Sequence, residues 1–421
     1  MNSILIKPSK LKGTIIPPPS KSLSHRAIIC ASLCQDNGVS EIDNVILSDD
    51  IKATIEGMKC LGAKIDLFEN TNKTYCLHIK GSKGNIKNAE IDCKESGSTL
   101  RFLIPLGLVL SDNCRFLGRG KLIERPLDIY YNLFNEKKIG YENNNGKLPL
   151  TVSGNLKEGY YNISGKVSSQ FISGLLFALP LINSDSIISI TDNLESVGYV
   201  DLTLQMLEKF NINIKNSNYS EFKIHEDSQY MSSSYKVESD YSQAAFYLAA
   251  KALGDDVECE ELNENSFQGD KEIINIINKF NKNSSDEIVI DASQIPDLVP
   301  ILTVLGALQN GKTTRIVNAQ RLRIKESDRL KAMATEMNKI GSEIEELNDG
   351  LLIKGKETLR GNATVNSWND HRIAMSLAIA ATKCNNDIIL EGYETVNKSY
   401  PEFWNDYKSL GGIVNELNLG K

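Results

Sequence analysis

Three stretches of this chain set basic side chains at the mouth of an apolar helical run, where exposed N–H groups and the helix dipole already favour an anion. In "PPPSKSLSHRA", residues 17–27, three prolines stiffen the approach to Lys21 and Ser22 at a helix start, and Arg26 follows one turn in. "ESGSTLR", residues 95–101, repeats the device: Gly97 lets backbone approach a ligand closely, hydroxyls follow, and Arg101 comes one turn later. "WNDHRIAM", residues 368–375, brings Asp370, His371 and Arg372 to another helix mouth, and "KSYPEFW" supplies Lys398. Cations at these points run against the dipole, so either they capture an anion or they are solvated charges on an ordinarily capped helix.

Polar groups suited to holding a substrate and moving a proton occupy related places. "SSQF" sets Ser168, Ser169 and Gln170 at a further helix start; capping accounts for one serine, less well for a glutamine entering an apolar helix. Asp297, in "QIPDLVP", is a lone carboxylate at a helix mouth, with capping and proton abstraction as its two readings. "RLRIKESDRL", residues 321–330, packs four cations and two acids into ten positions. A solvated, salt-bridged face is the ordinary reading of such a run. Here Arg323 and Lys325 precede the helix and Arg329 follows Glu326 by three, so Glu326 stands among cations, placed to exchange a proton or to fix Lys325. His371 can act as acid or base, but is read as a structural, hydrogen-bonding histidine. The eight cysteines show no CxxC, and the four histidines add no metal-site spacing, so neither structural zinc nor a disulfide framework is expected. No P-loop, dinucleotide fingerprint or serine-nucleophile elbow is present.

The elements that must position these residues form a repeat. An apolar helix opens near Ser22, Gly97, Ser169, Tyr241, Asp297 and Asp370, and an amphipathic one near Asp49, Pro126, Val200, Asp270, Glu326 and Tyr400. Each second helix follows its first by 27 to 31 residues, which predicts one supersecondary unit used six times. Each unit reads as strand, buried helix, strand, half-exposed helix, then strand or strands. Four of the second helices run into Gly62, Gly140, Gly341 and Gly411, expected as C-terminal caps. Successive first helices are 75, 72, 72, 56 and 73 residues apart, so the fourth unit alone is short. Its mouth, at Asp240 and Ser242, carries no assigned contact and reads as a capped helix. A polar stretch from His225 to Asp240 separates the third unit from the fourth and predicts a domain boundary.

Composition bounds the rest. At 421 residues the chain exceeds one ordinary core. A net charge of −7 without a lysine-rich block argues against a general nucleic-acid or anionic-membrane surface. No apolar run reaches bilayer length and Met1–Lys10 lacks the core of a signal peptide, so a cytoplasmic protein is expected.

"PPPSKSLSHRA", "SGSTLRF", "ERP", "SSQF", "SVGYVDLT", "IPDLVP", "LRIKESDRL", "NDHRIAM" and "KSYPEFW" together resemble the enolpyruvyl transferases, within them the branch that acts on shikimate 3-phosphate. The motifs occur in family order from Pro17 to Trp404. The resemblance implies an α/β fold of two similar domains, each of three βαβαββ repeats around buried inner helices (an inverse α/β barrel), hinged around a cleft. Residues 1–18 with 240–421 would form one domain, completed by a strand near Ile4 to Ile6, and 19–239 the other. It implies transfer of the enolpyruvyl group of phosphoenolpyruvate to the 5-hydroxyl of shikimate 3-phosphate with release of phosphate, needing no cofactor and no metal, by a monomer. Carried over by position, Lys21, Ser22, Arg26, Ser168, Ser169, Gln170, Ser196, Tyr199, Asp297 and Lys325 would contact shikimate 3-phosphate. Lys21, Gly97, Arg101, Arg125, Gln170, Arg329, Arg372 and Lys398 would clamp phosphoenolpyruvate. Asp297 would take the hydroxyl proton, and Glu326 with Lys21 would handle the methylene carbon. Phe102 and Glu95 depart from the proline and asparagine common beside Gly97, and Arg321 stands where some members have asparagine.

Two rivals remain at this point. The sister enzyme acting on UDP-N-acetylglucosamine typically has a cysteine in the loop before its Arg-Pro pair and Lys-Asn at the first helix, whereas "GRGKLIERP" has no cysteine and Ser22 follows Lys21. A non-catalytic sugar-phosphate or RNA-end binder would not need Asp297 and Glu326 among cations.

Overall fold

A computed structural model describes residues 2–282 and 286–417. They divide into two compact units: one formed by the residues up to Pro18 with those from Ser239 onward, the other by Pro19–Glu238. Each has its own hydrophobic core.

The unit Pro19–Glu238 contains helices α1 (Lys21–Ser32), α2 (Asp49–Cys60), α3 (Gly97–Leu110), α4 (Asp128–Lys137), α5 (Ser169–Ala178) and α6 (Val197–Lys209). The other contains α7 (Tyr241–Ala252), α8 (Ile273–Lys282), α9 (Val299–Ala307), α10 (Arg329–Lys339), α11 (His371–Ala381) and α12 (Phe403–Ser409). The odd-numbered helices are the apolar ones, and they are buried nearly all round: every residue of α9 and of α11 is inside. The even-numbered helices bury one face, as in α2, where Ile51, Ala53, Ile55 and Met58 point inward and Asp49 and Glu56 outward.

The repeat is plainest in the second unit of the chain. Strands Ile86–Asp92 and Ser111–Leu117 run parallel with α3 as the crossover between them. Strand Lys147–Ser153 then pairs antiparallel with Ser111–Leu117, and Gly140–Asn144 closes the edge. Strands 159–163, 186–190, 221–224 and 215–217 repeat this order around α5, and 287–291, 313–317, 350–354 and 343–347 repeat it around α9. The sixth repeat borrows its fourth strand from the start of the chain: Ser3–Lys7 lies between Ile388–Glu391 and Ile413–Leu417.

Repeats one and four take their opening strands from the two segments beside the unit boundaries. Ser234–Lys236 runs parallel to Ser40–Val45 and so opens the first repeat, while Lys12–Ile15 runs parallel to Asp256–Cys259 and opens the fourth. The fourth sheet has only those two strands among the described residues. Its missing hairpin accounts for the short spacing of 56 residues between helix mouths.

Several boundaries differ from the sequence expectation. The second helices expected near Pro126, Glu326 and Tyr400 begin at Asp128, Arg329 and Phe403, after 3₁₀ turns over Gly120–Glu124, Gln320–Ile324 and Tyr393–Lys398. At α10 the cause is a cap: Asp328 accepts from Lys331 N, so the helix cannot be read from Glu326. Residues Gly269–Glu272 likewise form a 3₁₀ turn before α8, and α6 starts early, at Val197, behind a left-handed Ser196. Gly62, Gly341 and Gly411 have the left-handed conformation of C-terminal caps, whereas after α4 that turn is made by Lys138 and Gly140 opens a strand.

Candidate active site

In the unit Pro19–Glu238 the helix mouths gather the predicted anion-binding side chains. Ser20 caps α1, accepting from Leu23 N, and Lys21 extends to Asp50 in the first turn of α2, with Nζ 2.8 Å from the carboxylate. At α3, capped by Ser96, a Cβ at Gly97 would lie 2.6 Å from Arg125 Nη1 and 3.0 Å from Arg101 Nη1, so a side chain there would have to displace those guanidinium groups. Both guanidinium groups therefore crowd the same backbone, and glycine leaves room for that approach. Arg101 Nη1 donates to Gln170 Oε1 at 2.8 Å, and Gln170 Nε2 donates to Ser98 Oγ at 2.9 Å, tying the mouths of α3 and α5 together. The Arg101 guanidinium sits over the Phe171 ring, 5.3 Å from its centre. Tyr130 on α4 donates to the Arg101 carbonyl at 2.6 Å, fixing the backbone beneath it.

Arg26 is differently employed. Its Nε donates to Thr203 Oγ1 at 2.9 Å, and Nη1 and Nη2 to the carbonyls of Ser22 and Tyr199 at 2.8 Å each. It is buried over the Phe102 ring, and burial pulls its pKa down to about 10. Arg26 thus joins α1 to α6 and holds the Tyr199 end of α6, next to Ser196. The Phe102 ring is the floor of this contact. Ser168 caps α5 by accepting from Gln170 N, with Ser169 buried beside it. Beneath these mouths His25, Thr54, Thr99 and Ser96 form a buried chain of hydrogen bonds. Burial keeps His25 neutral, its pKa well below the usual range.

The other unit holds the carboxylates. Arg329, 1% exposed, reaches three of them at 2.8 Å: Nη1 to Asp297, Nη2 to Glu326 and Nε to Asp370. Asp370 caps α11 through Arg372 N and also accepts from Ser327 Oγ. Arg372 returns across this group, donating from Nη2 to Asp297 Oδ2 and from Nη1 to the Asp297 carbonyl, both at 3.2 Å. Asp297 sits in the 3₁₀ turn Pro296–Leu298 that leads into α9, at the helix mouth. Burial would push the Asp297 carboxyl up, but Arg372, Lys325 and Arg329 hold it well below the usual carboxylate range. Burial lowers Lys325 to about 8, against the pull of Asp297. Lys398 Nζ donates to the Asn369 carbonyl at 2.7 Å, and Arg321 donates to the Ser293 carbonyl.

The predicted residues divide between the units: Lys21, Ser22, Arg26, Gly97, Arg101, Arg125, Ser168 to Gln170, Ser196 and Tyr199 lie in one, and Asp297, Lys325, Glu326, Arg329, Arg372 and Lys398 in the other. Sequence reasoning passed over Asp50, the counter-ion of Lys21, and Tyr130. It also left the fourth helix mouth empty. There Asp270 is buried, accepts from Ser242 Oγ, and lies within the electrostatic reach of Asp297 and Arg372. Among the described residues no group of histidines, cysteines and acids is arranged to hold a metal ion, and no helix is long and apolar enough to cross a membrane.

Repeated βαβαββ modules whose helix mouths carry arginine, lysine and paired carboxylates define an α/β protein with charge placed to suit small, multiply charged anions. A model of EPSP synthase (3-phosphoshikimate 1-carboxyvinyltransferase) matches residues 5–407. The 3-phosphoshikimate 1-carboxyvinyltransferases of Clostridium acetobutylicum and Clostridium novyi are 54% and 52% identical to this chain, each over the whole of both sequences. In fold, the chain is similar to the EPSP synthase structure from Acinetobacter baumannii, with a TM-score of 0.79 at 22% identity over 99% of this chain and 100% of that one. The chain belongs to the EPSP synthase family.

Proposed function

We infer that the chain catalyses the reaction of its family, transferring the enolpyruvyl group of phosphoenolpyruvate to the 5-hydroxyl of shikimate 3-phosphate and releasing phosphate. Shikimate 3-phosphate is held by Lys21, Ser22, Arg26, Ser168, Ser169, Gln170, Ser196, Tyr199, Asp297 and Lys325. Phosphoenolpyruvate is held by Lys21, Gly97, Arg101, Arg125, Gln170, Arg329, Arg372 and Lys398. The substrates bring two phosphates and two carboxylates that repel one another, and arginine forks suit such planar or tripodal anions.

Asp297 accepts the proton of the 5-hydroxyl as its oxygen bonds to the central carbon of phosphoenolpyruvate, while Glu326 with Lys21 delivers a proton to the methylene carbon. The resulting tetrahedral ketal phosphate then loses a methyl proton and its phosphate, restoring the enol ether. The observation that carries this reading is that two guanidinium groups, those of Arg329 and Arg372, both bind Asp297. An incoming carboxylate or phosphate draws on the same donors, and every donor it takes makes Asp297 a stronger base. The enzyme works as a monomer in the cytoplasm.

Phosphate release from the substrate pair tests the reaction, and UDP-N-acetylglucosamine in place of shikimate 3-phosphate tests the rival. Asp297→Asn and Glu326→Gln are each expected to bind both substrates and to lose on the order of 10²- to 10⁴-fold in turnover. Near-native turnover in either would remove that residue from its role.

A further inference from the structure

The fourth helix mouth, which no substrate contact claims, faces the carboxylate centre from behind. α7 packs against the 3₁₀ turn that carries Asp297 and against α11, which carries Arg372. Its cap, Asp240, accepts from Ser242 N and Gln243 N, which aims the Ser242 hydroxyl at Asp270. The turn Gly269–Glu272 that carries Asp270 packs on α7 as well, and Gln268 locks the corner: its Oε1 accepts from Tyr241 N and its Nε2 donates to the Ser239 carbonyl. The result is a buried carboxylate on a rigid mount, in the field of both Asp297 and Arg372.

We propose that Asp270 is a positioning residue for the enolpyruvyl transfer, acting through Arg372: its buried negative charge holds the guanidinium at Asp297 and keeps that arm in place for the incoming phosphoenolpyruvate. The proposal rests on the roles given above to Asp297 and Arg372. Among the charged groups that act on Asp270 are Asp297, Arg372 and Asp240. Burial, and next the Asp297 charge, push the Asp270 carboxyl up to about 6, while Arg372 and the Ser242 hydrogen bond pull it down. Asp297, held by three cations, stays ionised in the same range. Mild acid therefore protonates Asp270 first and slackens its hold on Arg372.

Asparagine has the shape of the protonated carboxyl, which gives the test its control. For Asp270→Asn the ratio of wild-type to variant kcat/KM for phosphoenolpyruvate is expected to be on the order of tenfold at pH 8 and to close to one near pH 5. The substrates' own phosphate groups titrate in this range but do so identically with both enzymes and cancel in the ratio. A ratio that is flat with pH, at one or at any other value, overturns the proposal. Should Asp270→Asn fail to fold, Ser242→Ala carries the test: with one hydrogen bond to the ionised carboxylate lost, the acid limb of kcat/KM is expected to move to higher pH, and an unmoved limb overturns the proposal. Asp297→Asn, assayed alongside, separates the two levels. If it turns over at the native rate, the underlying reading fails; if it is inactive and the Asp270 ratio is flat, only the positioning role does.

Discussion

Replacing Asp270 by asparagine is expected to stabilise the unit that carries it at neutral pH, although the enzyme becomes slower. The carboxyl is 3% exposed, and its surroundings raise it from 3.8 to about 6. The folded state thus binds this proton more tightly than the unfolded chain, so ionising Asp270 opposes folding. The cost is absent below about pH 4, grows between about pH 4 and 6, and is fully present above that. At 1.36 kcal/mol per pH unit, a rise of about two units amounts to roughly 3 kcal/mol withheld from stability at pH 7.5. Asparagine retains an oxygen to accept from Ser242 and carries no charge, so Asp270→Asn is expected to recover about 2 to 3 kcal/mol at pH 7.5 and almost nothing at pH 4.

The measurement can be confined to the right unit. The chain has two tryptophans, Trp368 and Trp404, and both lie in the unit that holds Asp270. Urea unfolding followed by tryptophan fluorescence therefore reports that unit, and the gain should appear as a midpoint shift of roughly 1 M or more at pH 7.5. A variant that is less stable than the native protein at pH 7.5, or more stable by the same amount at pH 4 and 7.5, would refute the electrostatic reasoning.

Gly97→Ala should raise the KM for phosphoenolpyruvate on the order of tenfold or more with little loss of melting temperature, because its Cβ intrudes on Arg125 and Arg101; an unchanged KM would mean those side chains yield freely. Arg329→Lys replaces a fork that serves three carboxylates with a point charge, so stability should fall by about 3 to 5 kcal/mol; tryptophan-monitored urea melts at pH 7.5 check this, and a loss under about 1 kcal/mol would count against it. With its pKa near 8, Lys325 is partly neutral at pH 7.5. Acetic anhydride at low stoichiometry should acetylate it ahead of exposed lysines such as Lys87, with shikimate 3-phosphate protecting it; peptide mass spectrometry showing the reverse order would refute the low pKa.

The six buried helices were legible because each is apolar on all faces, a pattern that no solvent-facing helix shares. The strands that cross between repeats were not, because their signals are too slight: Ser234–Lys236 and Lys12–Ile15 are three and four residues long and mostly polar, and only their pairing assigns them. The same pairing explains why the fourth repeat is short. At the site, the cations and acids at helix mouths could be read from residue type and position. What could not be read one motif at a time was the partner of each. The structure supplies a rule that the repeat already contained: a residue at the mouth of a first helix touches one at the mouth of the second, a single beat later. Lys21 meets Asp50 across 29 residues, Asn369 meets Lys398 across 29, and Asp297 meets Arg329 across 32. Ser242 meets Asp270 across 28. Applied to the fourth helix mouth, the beat leads from Ser242 to Asp270, so an opening that looks like a plain capped helix has a buried acid behind it. The spacing that defines the fold therefore also pairs the side chains of the site, and a helix mouth without an evident substrate contact is the place to look for the groups that hold the others in position.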